Sequence, residues 1–374
     1  FNVTGIRSQD ESASGTGAVM DSIAVLPFTS RSSDPDNQYF ADGIHDDLLA
    51  RLADIGSLRV ISRTSVNEYR DTSKNLREIG AELDVDTVVE GAVQRSGDQV
   101  RITVQLINAG TDEHIWAETY DRELSVSNVF DIQSEISSQI ASALQAALTP
   151  EEELRLTAMP TQSIEAFSHF SAARNNLYLR RYETIQEARR QFAAAIELDP
   201  DYAQAHAGLA EATLVTYTNH AALTPDEAFE LTRESVERAL ELDPQLAEAH
   251  AVKGLLLYEQ WKAARVDDKN LQAAQWFESA IALNPNLASS YVWFASLRES
   301  EGATDDAIRL LDKALHIDPL GRIPYINLPV NYAIKGENLK AMELLLKAME
   351  IFPDWPNPYT ALTDHLHGLG RFDE

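Results

Sequence analysis

The chain has 374 residues, 44% hydrophobic and 24% charged, a composition ordinary for a globular protein with room for two or three domains. Its net charge of −28 serves solubility, excludes a nucleic-acid partner and an anionic membrane surface, and leaves a neutral or basic protein or peptide as the partner that fits. Cysteine is absent, which excludes disulfides and thiol catalysis and suits an oxidising compartment, and no run approaches the ~18 apolar residues of a membrane span.

Residues 1–20 form a polar linker that opens Phe1-Asn2-Val3 without an initiator Met and lacks the basic start and apolar middle of a secretory signal. Any signal or anchor is therefore expected upstream of Phe1. From residue 21 to 149 the pattern is that of a small α/β (or α+β) domain with a mixed sheet. Ser22 to Phe28 is a short apolar run ending near Pro27, as in a buried strand. Phe40, Ile44, Leu48, Leu49, Leu52 and Ile55 recur at helical spacing, with Gly56 as the cap. Leu58 to Ser62 is a second strand and Leu76 to Leu83 a second helix. Thr87 to Arg95, Gln99 to Asn108 and Glu113 to Tyr120 predict a meander whose first turn is Ser96-Gly97-Asp98. Val129, Ile132, Ile136, Ile140, Leu144 and Leu148 stripe a last helix, which Thr149-Pro150 ends, and residues 150–160 read as a linker.

Five strings in this stretch carry a resemblance. They are Ala24-Val25-Leu26-Pro27-Phe28, Phe40-Ala41-Asp42-Gly43-Ile44, Val89-Glu90-Gly91-Ala92-Val93, Arg101 to Leu106, and His114-Ile115-Trp116-Ala117-Glu118-Thr119-Tyr120-Asp121. Together they resemble the TolB amino-terminal-like domain over about 130 residues.

Residues 161–374 are a repeat array. Pro200, Pro244, Pro285, Pro319 and Pro353 stand 44, 41, 34 and 34 residues apart, and the longer intervals read as a 34-residue period with insertions of 10 and 7. Five before each proline stands an alanine: Ala195, Ala239, Ala280, Ala314 and Ala348. Eight before stand Phe192, Val236, Phe277, Leu311 and Leu345, and six after come His206, His250, Tyr291, Tyr325 and Tyr359. The alanines suit a close helix crossing, the large residues fill the space between pairs, and the prolines end each second helix. The rings pack at the start of the next first helix. These columns resemble the tetratricopeptide repeat (TPR), giving about five helix pairs and a truncated sixth, an all-α superhelix. In that family Leu369-Gly370-Arg371-Phe372-Asp373-Glu374 is the turn into a second helix, so further chain is expected after Glu374. Pro329, inside a first helix, should kink or shorten it.

The family pattern implies a groove lined by first helices. Its rows are Gln204, Glu248, Ser289, Ile323 and Asn357; then Glu211, Leu255, Ser296, Val330 and Asp364; then Val215, Glu259, Ser300 and Ile334. No Lys or Arg stands in these rows, which argues against clamping a terminal carboxylate and favours a neutral or basic segment, or a helix inserted by its apolar face.

No catalytic constellation, metal site or cofactor motif is present: GxxxxGK, GxGxxG after Phe28, HExxH and GxSxG are all missing. His45-Asp46-Asp47 reads as an early helical turn, and Trp116, Glu118 and Tyr120 share one face of a strand, where the two rings suit packing. The domain order resembles the sensory half of bacterial membrane proteins whose cytoplasmic end is a nucleotide cyclase or a CadC-like winged-helix regulator. That implies a periplasmic, membrane-tethered, non-catalytic sensor or scaffold, with a homodimer expected if the effector is a cyclase. The alternative is a periplasmic envelope or motility assembly factor without an effector.

Overall fold

The computed structural model describes residues 21–31, 35–264 and 268–368, so the linker at 1–20 and the string 369–374 lie outside it. The first domain is a mixed sheet of β1 (Ser22–Val25), β2 (Thr29–Ser30), β3 (Arg59–Val60), β4 (Thr87–Ser96), β5 (Gln99–Asn108) and β6 (His114–Glu123). Its order is β3-β1-β4-β5-β6, with β2 also on β4. β1 runs parallel to β3 and β4, and β4-β5-β6 is the antiparallel meander. Ile23, Ala24 and Val25 are wholly buried because helices cover both faces there, which explains the unbroken apolar run. On one face lie α1 (Pro35–Ala53) and α4 (Val126–Ala143), with Ile44, Leu48, Ile132 and Ile136 in the core. On the other lie α2 (Arg63–Asn67) and α3 (Leu76–Leu83), with Val66, Ile79 and Leu83.

Two of the resembling strings meet here. Phe28 lies on Gly91, where an added Cβ would come within 2.5 Å of the ring. Gly56 does not cap α1, which ends three residues earlier; its N–H donates instead to the Glu152 carboxylate at 2.8 Å. Glu152 belongs to α5 (Pro150–Leu156), a helix inside the stretch expected to be a linker. Thr149 starts it through a capping box with Glu152 and Pro150 in the first turn, a signal present in the sequence.

The array follows as paired helices: α6 (Ile164–Tyr178) with α7 (Tyr182–Leu198), α8 (Ala203–His220) with α9 (Pro225–Leu242), and α10 (Ala247–Ala264) with α11 (Lys269–Leu283). Then come α12 (Ala288–Ser300) with α13 (Thr304–Ile317), α14 (Pro324–Ile334) with α15 (Asn338–Ile351), and the unpaired α16 (Pro356–Gly368). The alanine column is fully buried. Phe192 lies on Gly208 of the next first helix and Phe277 on Gly254 of the first helix of its own pair, so closely that a Cβ would sit 2.4 and 2.8 Å from the rings. The insertions of the second and third repeats go partly into longer first helices, 18 residues in α8 and α10 against 13 in α12. Pro329 lies inside α14, which at 11 residues is the shortest first helix among the described residues.

The ring column has a second role that periodicity could not show. His206 and His250 bond the carbonyls of Pro200 and Pro244 through Nε2 at 3.0 and 2.8 Å. Tyr291, Tyr325 and Tyr359 donate to the carbonyls of Pro285, Pro319 and Pro353 at 3.0, 3.1 and 3.3 Å. A carbonyl only accepts, so each ring supplies an N–H or O–H and pins the inter-repeat turn to the following helix.

Candidate binding groove

The array and the α/β domain meet along the groove's first repeat. Carrying the proline register back to Pro160, 40 residues before Pro200, places Ser171 and Asn175 in the second and third groove rows, with Arg174 beside them. These positions are already occupied. Gly43 of α1 approaches α6 so closely that a Cβ would lie 2.4 Å from Ser171 Oγ. Asn175 donates to Asp42 at 3.3 Å and accepts from the Arg63 guanidinium, which also pairs with Asp46. Arg63 is buried, lies 4.5 Å over the Tyr178 ring, and keeps a pKa pushed down to about 10 by that burial. Arg70 pairs with Asp42 at 2.9 Å. Asp42 and Gly43, two residues of the string that carries the resemblance, thus serve domain docking.

Next along the groove, Gln204, Glu211 and Glu248 come together with Arg174 and Leu177 around a pocket of about 20 Å³, room for roughly one water and no more. Arg174 donates to the Tyr178 hydroxyl at 2.7 Å, and Arg180 pairs with Glu211 at 2.8 Å. Burial works against the Arg174 charge, yet Tyr178, Glu248 and Glu211 together raise its pKa. The groove rows hold no cation, but Arg174 of α6 and Arg180 in the turn after it reach them, and part of the expected acidity is neutralised. The missed signal is Pro160, which would have put α6 in register.

Glu248 also faces the α/β domain. Half-buried Asp54 accepts from Asn284 Nδ2 at 3.0 Å, and burial with the nearby Glu248 carboxylate pushes its pKa up to about 7. Leu255 and Val215 are core residues rather than groove lining. Glu259 is buried and paired with Lys262 at 3.0 Å, at the edge of an open cleft of about 400 Å³ that Tyr217 and Thr218 also line.

The face opens from the fourth repeat onward. Ser289 and Ser296 are half-buried, Ser300 is exposed and shares a 2.8 Å hydrogen bond with the Tyr258 hydroxyl. At the start of α14 and along it, the three row positions form an apolar stripe: Ile323, its N-cap, and Val330 are 53% exposed and Ile334 69%. Asn357 and Asp364 on α16 are exposed beside it. Glu299, held by Asn331 Nδ2 at 2.6 Å, has its pKa raised by burial.

The remaining polar candidates are structural. His45 is fully buried, its Nε2 bonds the Val25 carbonyl at 2.9 Å, and burial lowers its pKa to about 3. Asp46 and Asp47 pair with Arg63 and Arg51. Tyr120 is buried and Trp116 packs on the same core, while Glu118 is exposed, so the three frame no site. No cluster of metal-ligating side chains occurs among the described residues, and no described helix is long and apolar enough to cross a membrane.

Residues 19–139 match the family described as HilA/YgeH-like transcriptional regulator, second domain. Over 206 residues the chain is 37% identical to "Putative adenylate cyclase 3" of Rhizobium meliloti (strain 1021), a match covering 55% of this chain and 35% of that protein. The chain therefore spans about a third of that relative's length. Among solved structures, TTC0263, a thermophilic TPR protein of Thermus thermophilus, gives a TM-score of 0.45 at 18% identity, covering 53% of this chain and 99% of that one. PilW, a widely conserved type IV pilus biogenesis factor, gives 0.43 at 16% identity, covering 56% and 88%. From Ile164 onward the chain folds as a TPR-like array of paired helices.

Proposed function

We propose that this chain is the non-catalytic sensor region of a longer, membrane-anchored bacterial signalling protein, and that it faces the periplasm. The effector is a nucleotide cyclase or a winged-helix regulator. One observation carries the reading: 37% identity over 206 residues to a cyclase-named protein of which this match is only 35%, leaving most of that relative for other domains. The regulator-domain match over residues 19–139 supports the same class of protein. Two residues of the stretch that resembles the TolB amino-terminal-like domain, Asp42 and Gly43, lie at the face docked on the array.

The partner is a protein or peptide that lays an apolar face on Ile323, Val330 and Ile334. Asp364 is the one charged position among the groove rows of α12, α14 and α16, so the partner's flanks there are neutral or basic. Nucleic acid is repelled by the net charge of −28.

The test uses the full-length gene. Its upstream coding sequence should contain one membrane helix behind a cyclase or winged-helix domain. Alkaline phosphatase fused after Glu374 should be active, as only a periplasmic fusion is. Deleting the array should change cyclic nucleotide level or target transcription. A cleavable signal with no effector behind it would instead make the chain an assembly factor, and an inactive fusion would overturn the periplasmic placement.

A further inference from the structure

Repeats in a solenoid touch only their neighbours, so nothing within such an array fixes its overall curvature beyond the sum of small local rotations. This array carries an additional constraint. At one end, the α6 residues Ser171 and Asn175 hold α1 through Gly43 and Asp42. At the other, two inter-repeat turns close on the open edge of the same sheet. In the turn between α11 and α12, Asn286 donates through Nδ2 to the Ala53 and Leu58 carbonyls at 2.9 and 3.0 Å. Its Oδ1 accepts from the Val60 N–H, the outward donor of edge strand β3, at 3.1 Å. In the turn between α13 and α14, the Ile317 carbonyl accepts from the Ser62 N–H at 2.9 Å. There Asp318 accepts from the Ser65 hydroxyl at 2.6 Å, and that hydroxyl accepts from the Leu320 N–H at 2.8 Å. Leu320 itself packs on the core under α2 and α3.

We propose that the α/β domain is a brace across the array, tying the first repeat to the turns that enter the fourth and fifth and so holding one curvature. A partner that requires another curvature enters the open rows of α14 and α16 only by releasing an end of the brace. That makes groove occupancy and domain docking linked equilibria, each opposing or favouring the other by the same factor. This second statement rests on the groove reading above; the brace itself does not.

The materials of the far end suit a releasable contact. The far end consists mainly of hydrogen bonds to backbone groups that water can satisfy once the turns lift away, with Leu320 as its apolar contact. Most of those bonds pass through two side chains, Asn286 and Ser65, so few substitutions should free it.

The chain has no cysteine, so two introduced ones can be spin-labelled without background. Glu197→Cys on α7 and Glu350→Cys on α15 are exposed sites in the first and fifth repeats. The distance distribution between them is measured by pulsed electron resonance in the otherwise unchanged chain. It is measured again with Asn286→Ala, with Ser65→Ala, and with both. Weakening the brace should widen the distribution roughly twofold in the double variant, with each single variant between, because the array then samples its own range of curvature. Asn175→Ala, at the opposite end, should widen it in the same way. Far-UV circular dichroism checks folding, and Ser65→Ala, which removes one hydroxyl, carries the comparison if the larger variants unfold. A distribution unchanged in folded variants overturns the brace and leaves the groove reading standing. Loss of partner binding without any change in distances in the unsubstituted chain would instead count against the groove reading alone.

Discussion

Between neighbouring repeats, a ring such as Phe192 lies on a glycine of the next first helix, and buried alanines let the helices cross. Between the array and the α/β domain, the polar contacts are Asn286 and Ser65 to backbone, and Asn175 to Arg63 and Asp42. The first kind is apolar and recurs with every turn of the chain. The second combines these polar contacts with the apolar side chains Phe167 and Leu320, occurs once at each place, and joins residues far apart in sequence. Apolar contacts gain from the area removed from water wherever they sit, whereas buried polar groups stabilise only while every partner is in place. The repeat interfaces should therefore be robust and the domain interface adjustable, and substitutions on each side can separate the two.

The largest effect belongs to the repeat interface. Phe192→Ala removes a fully buried ring and should cost about 3–5 kcal/mol by transfer and cavity terms. Chemical denaturation of the whole chain measures it. A loss below about 1 kcal/mol would mean that neighbouring repeats close the cavity, and that the apolar columns are less decisive than their regularity suggests.

At the domain interface the sharpest steric test is Gly43→Ala. The added methyl would sit 2.4 Å from Ser171 Oγ and 2.9 Å from its Cβ, so α1 and α6 must separate, costing about 1–3 kcal/mol. A double-mutant cycle with Ser171→Gly should recover part of that loss after allowing for the helix penalty of the new glycine. Additive losses would place the cost inside the α/β domain and not at the interface.

The same contrast decides what could be read without the structure. The array was legible because its packing is periodic, and five alanines in one register position leave one explanation. The α/β core was legible too, since α3 and the three long strands follow plain alternation or helical spacing, with boundaries within a few residues. Asn286, Ser65 and Asp42 were not legible as interface residues. Their partners are backbone groups or single charges distant in sequence, and no local pattern announces such a pairing. The groove suffered for the same reason. Its rows were placed by register, but register is silent about α1 covering the first repeat, about Arg174 and Arg180 joining Glu211, and about Leu255 turning into the core.

A smaller effect is expected at Asp54, where the interface gains a pH dependence that the apolar columns lack. Its pKa is about 7 in the folded chain against an ordinary value near ~4 for an unfolded aspartate. The folded state then holds a proton that the unfolded state has lost, so stability falls as pH rises from ~4 through about 7, and the full penalty is present above that. Asp54→Asn should flatten the slope, making the variant about 1–2 kcal/mol less sensitive than the parent between ~pH 5 and ~pH 8, once solvent screening of a half-buried group is allowed for. Parallel slopes in the two proteins would show that the raised value is not coupled to folding.

The smallest effect tests the ring column, the one place where the periodic array borrows the polar chemistry of the interface. If Tyr291 acts only as a packing ring, Tyr291→Phe should be nearly neutral. If its hydroxyl pins the turn through the Pro285 carbonyl at 3.0 Å, the change should cost about 0.5–1.5 kcal/mol, the net worth of one such bond. Tyr291→His discriminates further, because His206 and His250 make the equivalent bond through Nε2 in the first turns of the array. The Nε2 proton that donates is present in the imidazolium as well as in that neutral tautomer, so histidine should restore most of the loss at acid and neutral pH alike. Restoration by histidine and not by phenylalanine would make the column a hydrogen-bonded turn lock, and explain why two chemically different rings share one register position.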